Sequence, residues 1–281
     1  MIKMARSSVR WAFNWLQWDP SETEFLKAIS CIQTEEKERI GRFVFKKDAR
    51  ASLAGRLLMR KFVNEYGNIP YNDVLFSRDK SGRPFVNGDI KNLNFNVSHQ
   101  GSYTVFAGEV RNLLLGVDVM KLEYTGGKKL AEFFRIMNRN FSPLEWDSIR
   151  AGNSKSEIDQ VSMFCRHWSL KESYVKAIGV GIAMDLSRIS FKINSPLVAG
   201  PLVTDTELYL DGMKQNWLFE ESLLDSDHCV SVALQENKSA PESLGLKFET
   251  MNFKNLMENS VSLHSLDLEY CKRYFSKPEQ P

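Results

Sequence analysis

Two hydrophobic periodicities alternate along this chain. Residues 9–15 place Val9, Trp11, Phe13 and Trp15 at every second position, the pattern of a half-buried strand. Helical spacing then takes over. Ser21 and Glu24 form a capping box, and Thr34, followed by Glu35, Glu36 and Glu38, marks a second helix start. Leu53, Leu57, Leu58 and Phe62 predict a longer helix over 47–66, stopped by Gly67 and Pro70. Strands are predicted at 74–77, 84–86, 93–98, 103–107 and 113–119, separated by turn pairs such as Asn87-Gly88 and Arg111-Asn112. The rhythm then repeats, with helices over 128–137, 142–150 and 157–178. Strands follow at 189–193, 207–210, 217–220 and 229–234, the second and third joined across Asp211-Gly212. Helices followed by sheet, twice, predict an α+β fold of two similar halves, 1–120 and 121–235. Residues 236–281 are polar and are expected to form a poorly ordered or loosely docked tail.

Composition narrows the class. At 281 residues and 43% hydrophobic content, the chain can bury one large core or two smaller ones. Its 37 Lys and Arg nearly balance 35 Asp and Glu, so net charge gives no reason to expect nucleic acid or an anionic membrane as partner. Cys31, Cys165, Cys229 and Cys271 form no CxxC pair, and no apolar run is long enough to cross a bilayer. The expectation is a reduced, cytoplasmic protein without disulfides.

Candidate chemistry concentrates on residues 168–181. Leu170, Tyr174 and Ile178 make the apolar side of a helix that Gly179 would cap, while Glu172 and Lys176 share the other side. The plain reading of that pair is a solvated ion pair. Ser169 with Glu172 also matches a capping box, which would make Glu172 a local structural residue. Asp118 lies inside the otherwise apolar strand Leu115-Gly116-Val117-Asp118-Val119; a buried carboxylate needs a partner, and a metal ion or a capped loop would both serve. Asp118 with Glu172 offers two hard oxygen donors, too few for a calcium cage and suited to Mg²⁺ held jointly with substrate phosphates. Lys37, Arg39, Arg42, Lys46, Lys47, Arg50, Arg56, Arg60 and Lys61 form a basic group that reads singly as solvated helix faces and together as a phosphate receiver. The chain has no P-loop, nucleophile elbow, dinucleotide fingerprint or zinc spacing.

Gly116-Val117-Asp118 followed some fifty residues later by Trp168-Ser-Leu-Lys-Glu-Ser-Tyr-Val-Lys-Ala177 resembles the two-part signature of the 4′-phosphopantetheinyl transferases, in particular the larger, surfactin-synthetase-activating type and its animal members. Glu36-Lys-Glu-Arg-Ile40, Ala54-Gly-Arg56, Gly82-Arg-Pro84, Phe95-Asn-Val-Ser-His99 and Phe141-Ser142-x-x-Glu145-Trp146 fall in the family's order, from about residue 9 to 234. The resemblance implies a monomer of two similar α+β halves related by pseudo-two-fold symmetry, with coenzyme A in the cleft between them. It also implies transfer of the phosphopantetheine arm to a serine of apo acyl carrier protein domains, releasing adenosine 3′,5′-bisphosphate. Fatty acid synthase, an aminoadipate-reducing enzyme and a folate dehydrogenase are the carrier-bearing partners it suggests. Asp118 and Glu172 would then hold Mg²⁺, Glu172 would act as general base, and Lys176 would meet phosphate oxygens. Arg39, Arg78, Arg83, Ser98 and His99 carry over as coenzyme A contacts, with Asp79, Lys80, Ser81 and Gly82 completing a nucleotide wall and Asn96 and Val97 leading into the Ser98 contact.

One position departs from the family. Many relatives have Asp-x-Glu in the first motif, whereas here Met120 follows Asp118 at that spacing and cannot serve a hard cation. Gln100 is the candidate to fill the gap, with an ordered water as the competing possibility. A carrier-binding relative without catalysis and a nucleic-acid binder using the basic cluster from Lys37 to Lys61 are the alternative classes; retention of Asp118 and Glu172 argues against the first, and a basic cluster is too weak and common a signal to favour the second.

Overall fold

The computed structural model describes residues 8–80, 82–88, 90, 92–150, 156–181 and 184–280. In chain order the elements are β1 (Ser8–Asn14), α1 (Glu22–Ser30), α2 (Thr34–Gly41), α3 (Lys46–Tyr66), β2 (Phe76–Arg78), β3 (Pro84–Val86), β4 (Asn94–Gln100) and β5 (Tyr103–Glu109). They continue as β6 (Leu114–Lys121), α4 (Leu130–Ile136), α5 (Pro143–Arg150), α6 (Glu157–Ile178), β7 (Ile189–Lys192), β8 (Glu207–Leu210), β9 (Met213–Gln215), β10 (Leu218–Leu223) and β11 (His228–Gln235). Last come β12 (Glu249–Met251), α7 (Phe253–Leu256) and α8 (Leu268–Phe275). The mixture of helices and small sheets matches the predicted α+β class. Two compact units form, one from residues 1–112 with 248–281 and the other from 113–247.

In the first unit the sheet order is β12-β1-β5-β4, antiparallel except for the parallel pairing of β1 with β12. Helix α3 packs on this sheet through small residues. Thr104 Oγ1 donates to the Ala51 carbonyl at 2.9 Å, and a Cβ on Gly108 would collide with the Phe62 ring. Alternation predicts Arg10 on a wet face, yet it is buried, donating to Glu109 at 2.8 Å and to the Val9 carbonyl at 2.9 Å. Burial of that charge is tolerable because both ends of the pair are hydrogen-bonded. Thr34 proves to be the first helical residue of α2, with Gln33 at the N-cap and no side-chain capping bond. The Ser21 capping box forms as predicted.

The segment expected to be a loose tail is built into this core. Phe13 pairs with Met251 across β1 and β12, and Met251, Leu256, Tyr270, Cys271 and Tyr274 join the same apolar cluster as Phe25 and Leu53. Tyr270 Oη donates to the Lys37 carbonyl at 2.8 Å, and the Lys46 amide donates to the Pro278 carbonyl at 2.9 Å. Its anchors are a few aromatics spaced through polar sequence, which is why composition misrepresents it. Removing residues 248–281 is expected to abolish cooperative unfolding of the first unit, because each large buried side chain lost forfeits about 2 kcal/mol of apolar burial; hydrogen exchange and thermal unfolding of the truncated chain check this.

The second unit takes β6 for its own. Expected as the last strand of the first half, β6 instead pairs antiparallel with β11, which pairs with β10, and the unit begins at residue 113 rather than 121. Alternation identifies a strand but carries no information about which sheet will receive it. A separate sheet holds β7, β8 and β9, so Asp211-Gly212, both at positive φ, turns β8 into β9 and not into β10 as expected. Helix α6 lies across β6. At Gly116 an added Cβ would fall within 2.5 Å of the Ala177 amide nitrogen and closer still to the Ser173 carbonyl oxygen, so only glycine permits this approach. Both obstacles are backbone and cannot rotate away. Gly116→Ala is therefore expected to cost about 3 kcal/mol or more, the upper range for overpacking a rigid site, measured as a drop in denaturation midpoint.

Candidate functional site

Helix α6 runs from an N-cap at Ser156, whose hydroxyl accepts from the Asp159 amide at 3.2 Å, to Gly179 in the left-handed conformation at φ 72°. Ser169 thus lies mid-helix, and the capping-box reading of Ser169 with Glu172 does not hold. Its hydroxyl instead donates to the Asp118 carbonyl at 3.1 Å, tying α6 to β6 at the acidic residue. Lys176 Nζ donates to Asp118 Oδ1 at 2.5 Å. The solvated Glu172 and Lys176 pair is replaced by a strand-to-helix ion pair with Asp118 nine-tenths covered.

Glu172 completes the group. Burial raises its pKa above the ordinary carboxylate value, the neighbouring Asp118 charge raises it further, and Lys176 works in the opposite direction. Two carboxylates and one ammonium are thereby set on adjoining turns of α6 and one position of β6. Among the described residues no group of three or more His, Cys, Asp and Glu side chains could hold a metal ion. Asp118 and Glu172 still suit Mg²⁺ chemically: both are hard oxygen donors whose mutual repulsion a divalent cation would relieve, with water and substrate phosphate supplying the remaining ligands. Met120 packs instead into the apolar cluster of Phe164, Cys165 and Cys229.

A second buried charge group supports α6 from behind. Lys171, fully buried, lies 2.8 Å from Glu145 and donates to the carbonyls of Leu186 at 2.8 Å and Ile189 at 2.5 Å. Burial lowers the Lys171 pKa while Glu145 raises it, the net being downward. Burial alone would raise that of Glu145, but the neighbouring His167, 3.5 Å away, and the Lys171 charge outweigh it. Glu145 also closes the capping box of α5 with the Ser142 amide at 2.8 Å and accepts from the Phe191 amide at 3.2 Å. The motif positions Ser142, Glu145 and Lys171 thus fix the helix that carries Glu172.

In the first unit the predicted anion contacts fall into two groups. Arg78 donates through Nη2 and Nε to Glu36 at 2.7 and 3.1 Å and through Nη1 to the Gly82 carbonyl at 2.7 Å. Arg39 stands 3.8 Å from the same Glu36. Asp79 organises the turn between β2 and β3, its side chain accepting from the Arg83 amide at 3.0 Å; Lys80 and Gly82 are exposed on it, and Ser81 lies outside the described residues. Burial lowers the pKa of Arg83 against the opposing effect of Asp79. On β4, Asn96 and Ser98 are buried and His99 and Gln100 are exposed. The Val97 side chain packs toward α3 near Gly55. The basic set expected around residues 37–61 does not form one patch: Arg60 is buried against the Val74 and Tyr71 carbonyls, Lys61 pairs with Glu65, and Lys37 with Asp267. Glu36 as the common partner of several arginines was not anticipated; its place in the motif 36–40 was the available signal.

Comparison with known proteins places this geometry. Residues 16–111 match the family described as 4′-phosphopantetheinyl transferase, N-terminal, and residues 114–233 match the 4′-phosphopantetheinyl transferase superfamily. The second boundary coincides with the start of β6. The chain belongs to the 4′-phosphopantetheinyl transferase superfamily and is a transferase of that class. It is 42% identical over 287 residues to the L-aminoadipate-semialdehyde dehydrogenase-phosphopantetheinyl transferase of Xenopus laevis, covering 98% of this chain and 94% of the relative. The Homo sapiens protein of the same name is 44% identical over 290 residues, with 97% and 93% covered. A 4′-phosphopantetheinyl transferase of Bacillus subtilis is 29% identical over 174 residues, covering 62% and 72%.

The raised Glu172 pKa has a stability consequence with a definite sign. A group that titrates higher when folded adds stability that is complete below the unfolded pKa and is lost as pH rises through the folded one. Ionised Glu172 therefore burdens the fold at neutral pH. Glu172→Gln is expected to melt at a higher temperature than the wild type at pH 7, with the gap closing as pH falls below about 4.3, the ordinary Glu value; paired thermal melts across this range check it.

Proposed function

We propose that this enzyme moves the 4′-phosphopantetheine arm of coenzyme A to the serine hydroxyl of an acyl carrier domain, releasing adenosine 3′,5′-bisphosphate, with Mg²⁺ required. The observation that carries the reading is the Asp118, Glu172 and Lys176 group held between β6 and α6. The reaction is attack of an oxygen on a pyrophosphate phosphorus, for which positioning and charge neutralisation provide most of the catalysis.

Glu172 is the proposed general base. Its raised pKa gives it more proton affinity than an exposed carboxylate, which suits it to take the serine proton directly or through a water. Lys176, already paired with Asp118, presents a cation for phosphate oxygens. Asp118 and Glu172 would hold Mg²⁺, which when bound supplies Lewis-acid neutralisation of pyrophosphate charge. Lys171 and Glu145 keep α6 from shifting under these charges. In the first unit, Arg39, Arg78 and Arg83, with Ser98 and His99, are the proposed contacts for coenzyme A phosphates. The names of the Xenopus and human relatives make the carrier domain of an aminoadipate-reducing enzyme the first substrate to try.

Incubation with an apo carrier domain, coenzyme A and Mg²⁺ is expected to add the phosphopantetheine mass to the carrier serine, read by mass spectrometry, and chelation of Mg²⁺ to stop it. No added mass on any apo carrier would overturn the reading. Glu172→Gln is expected to lower turnover by about two orders of magnitude or more without unfolding the protein. Arg39→Ala and Arg78→Ala are expected to raise KM for coenzyme A far more than they lower kcat; unchanged KM with depressed kcat would contradict their placement.

A further inference from the structure

Arg56, on α3, has no part in the contacts proposed above, yet it stands where the charges of the first unit fail to balance. Glu36 Oε1 is taken by Arg78. Its Oε2 lies 3.7 Å from Arg56 Nε and 3.8 Å from Arg39 Nη1, in ion-pair reach of both. Glu36 Oε2, Arg56 Nε and Arg56 Nη1 are all buried with no hydrogen-bond partner among the described residues. Among the described residues, three guanidiniums thus stand around one carboxylate, an excess of two positive charges over these four groups. Burial lowers the Arg56 pKa to about 10, with Arg78 and Arg39 adding to the drop and Glu36 opposing it, so Arg56 stays charged at neutral pH.

Such an arrangement is costly unless an anion completes it. A phosphate monoester, with a charge of about −1.5 to −2 at pH 7, matches the excess. Without Arg56 the same carboxylate would stand against two arginines only, and the excess would fall to one.

Resting on the reading that Arg39 and Arg78 receive a coenzyme A phosphate, we infer that Arg56 is a positioning residue acting through Glu36. Its guanidinium shares Glu36 Oε2 with Arg39 while Arg78 holds Oε1, so the single carboxylate is divided among three cations and leaves net positive charge on Arg39 and Arg78 for a phosphate monoester. Glu36 in turn holds the three arginines together while no phosphate is bound.

The test is a double-variant cycle read by calorimetric titration of coenzyme A and of adenosine 3′,5′-bisphosphate at fixed ionic strength. Arg56→Met is expected to weaken both ligands about tenfold, with kcat for carrier modification little changed. Adding Glu36→Gln to that variant restores the excess of two charges, and affinity is expected to return to within about threefold of wild type. A merely structural Arg56 gives no such rescue, so a double variant as weak as Arg56→Met, or weaker, would overturn the inference. Arg56→Lys, which keeps the charge, is expected to bind within about threefold of wild type; a loss as large as that of Arg56→Met would also count against it. Should Arg56→Met fail to fold, Glu36→Gln in the otherwise unchanged chain decides: tightening of about twofold or more supports the inference, and no tightening overturns it. A wild-type protein that binds neither ligand would instead overturn the functional reading beneath.

Discussion

The close approach of α6 to β6 at Gly116 is the constraint on which the second unit depends. Helix and strand backbones come into direct contact where a side chain would ordinarily separate them. Two residues along the strand, on the same face, Asp118 then meets Ser169 and Lys176 from the helix, and Glu172 comes near enough for the two carboxylates to feel one another. A methyl group at residue 116 would lift the helix and dissolve all of these relations together. The glycine of the signature is therefore a spacing device, and the acid beside it is its beneficiary.

The buried charges are stabilised by the partners that surround them, but the groups differ in how completely. Glu145 receives a lysine, two backbone amides and a neighbouring histidine, and Glu221 is held by Arg166 through two hydrogen bonds and by the Thr206 hydroxyl. These groups are close to self-sufficient and act as rigid supports. The Asp118 and Glu172 group and the Glu36 group are left with an imbalance of one sign each. Function in a protein of near-zero net charge needs local imbalance of this kind, and here it is sited where the family motifs fall.

Much of this was legible in sequence because each feature has a local cause. The capping boxes at Ser21 and Ser142, the Gly179 stop and the apolar spacing of α3 and α6 depend on neighbours within a few residues, and they formed as read. Three matters depend on distant partners and were not legible. Strand β6 joined a sheet whose other members lie about a hundred residues downstream; Asp211-Gly212 closed a hairpin with a strand of only three residues; and residues 248–281 returned to the first unit through scattered aromatics. At the site, residue type and motif brought Asp118, Glu172 and Lys176 forward as candidates, and the structure sets the three side chains together. Glu36 was not among those candidates, since its importance lies in arginines contributed by a different helix and a different hairpin.

The pairing of β12 with β1 also bears on how the protein is made. Because the chain emerges from the ribosome in order, the contiguous segment 113–247 has every strand and helix of its unit in hand while the last partner of Trp11 and Phe13 has yet to be synthesised. The first unit must wait, holding an unpaired β1 edge and an apolar surface that Met251, Tyr270 and Tyr274 will later cover. Such an edge is a template for unwanted strand addition. The first half of the sequence thus spends the whole synthesis of the second as an incomplete intermediate, and the nascent chain is the form of this protein most in need of chaperone protection.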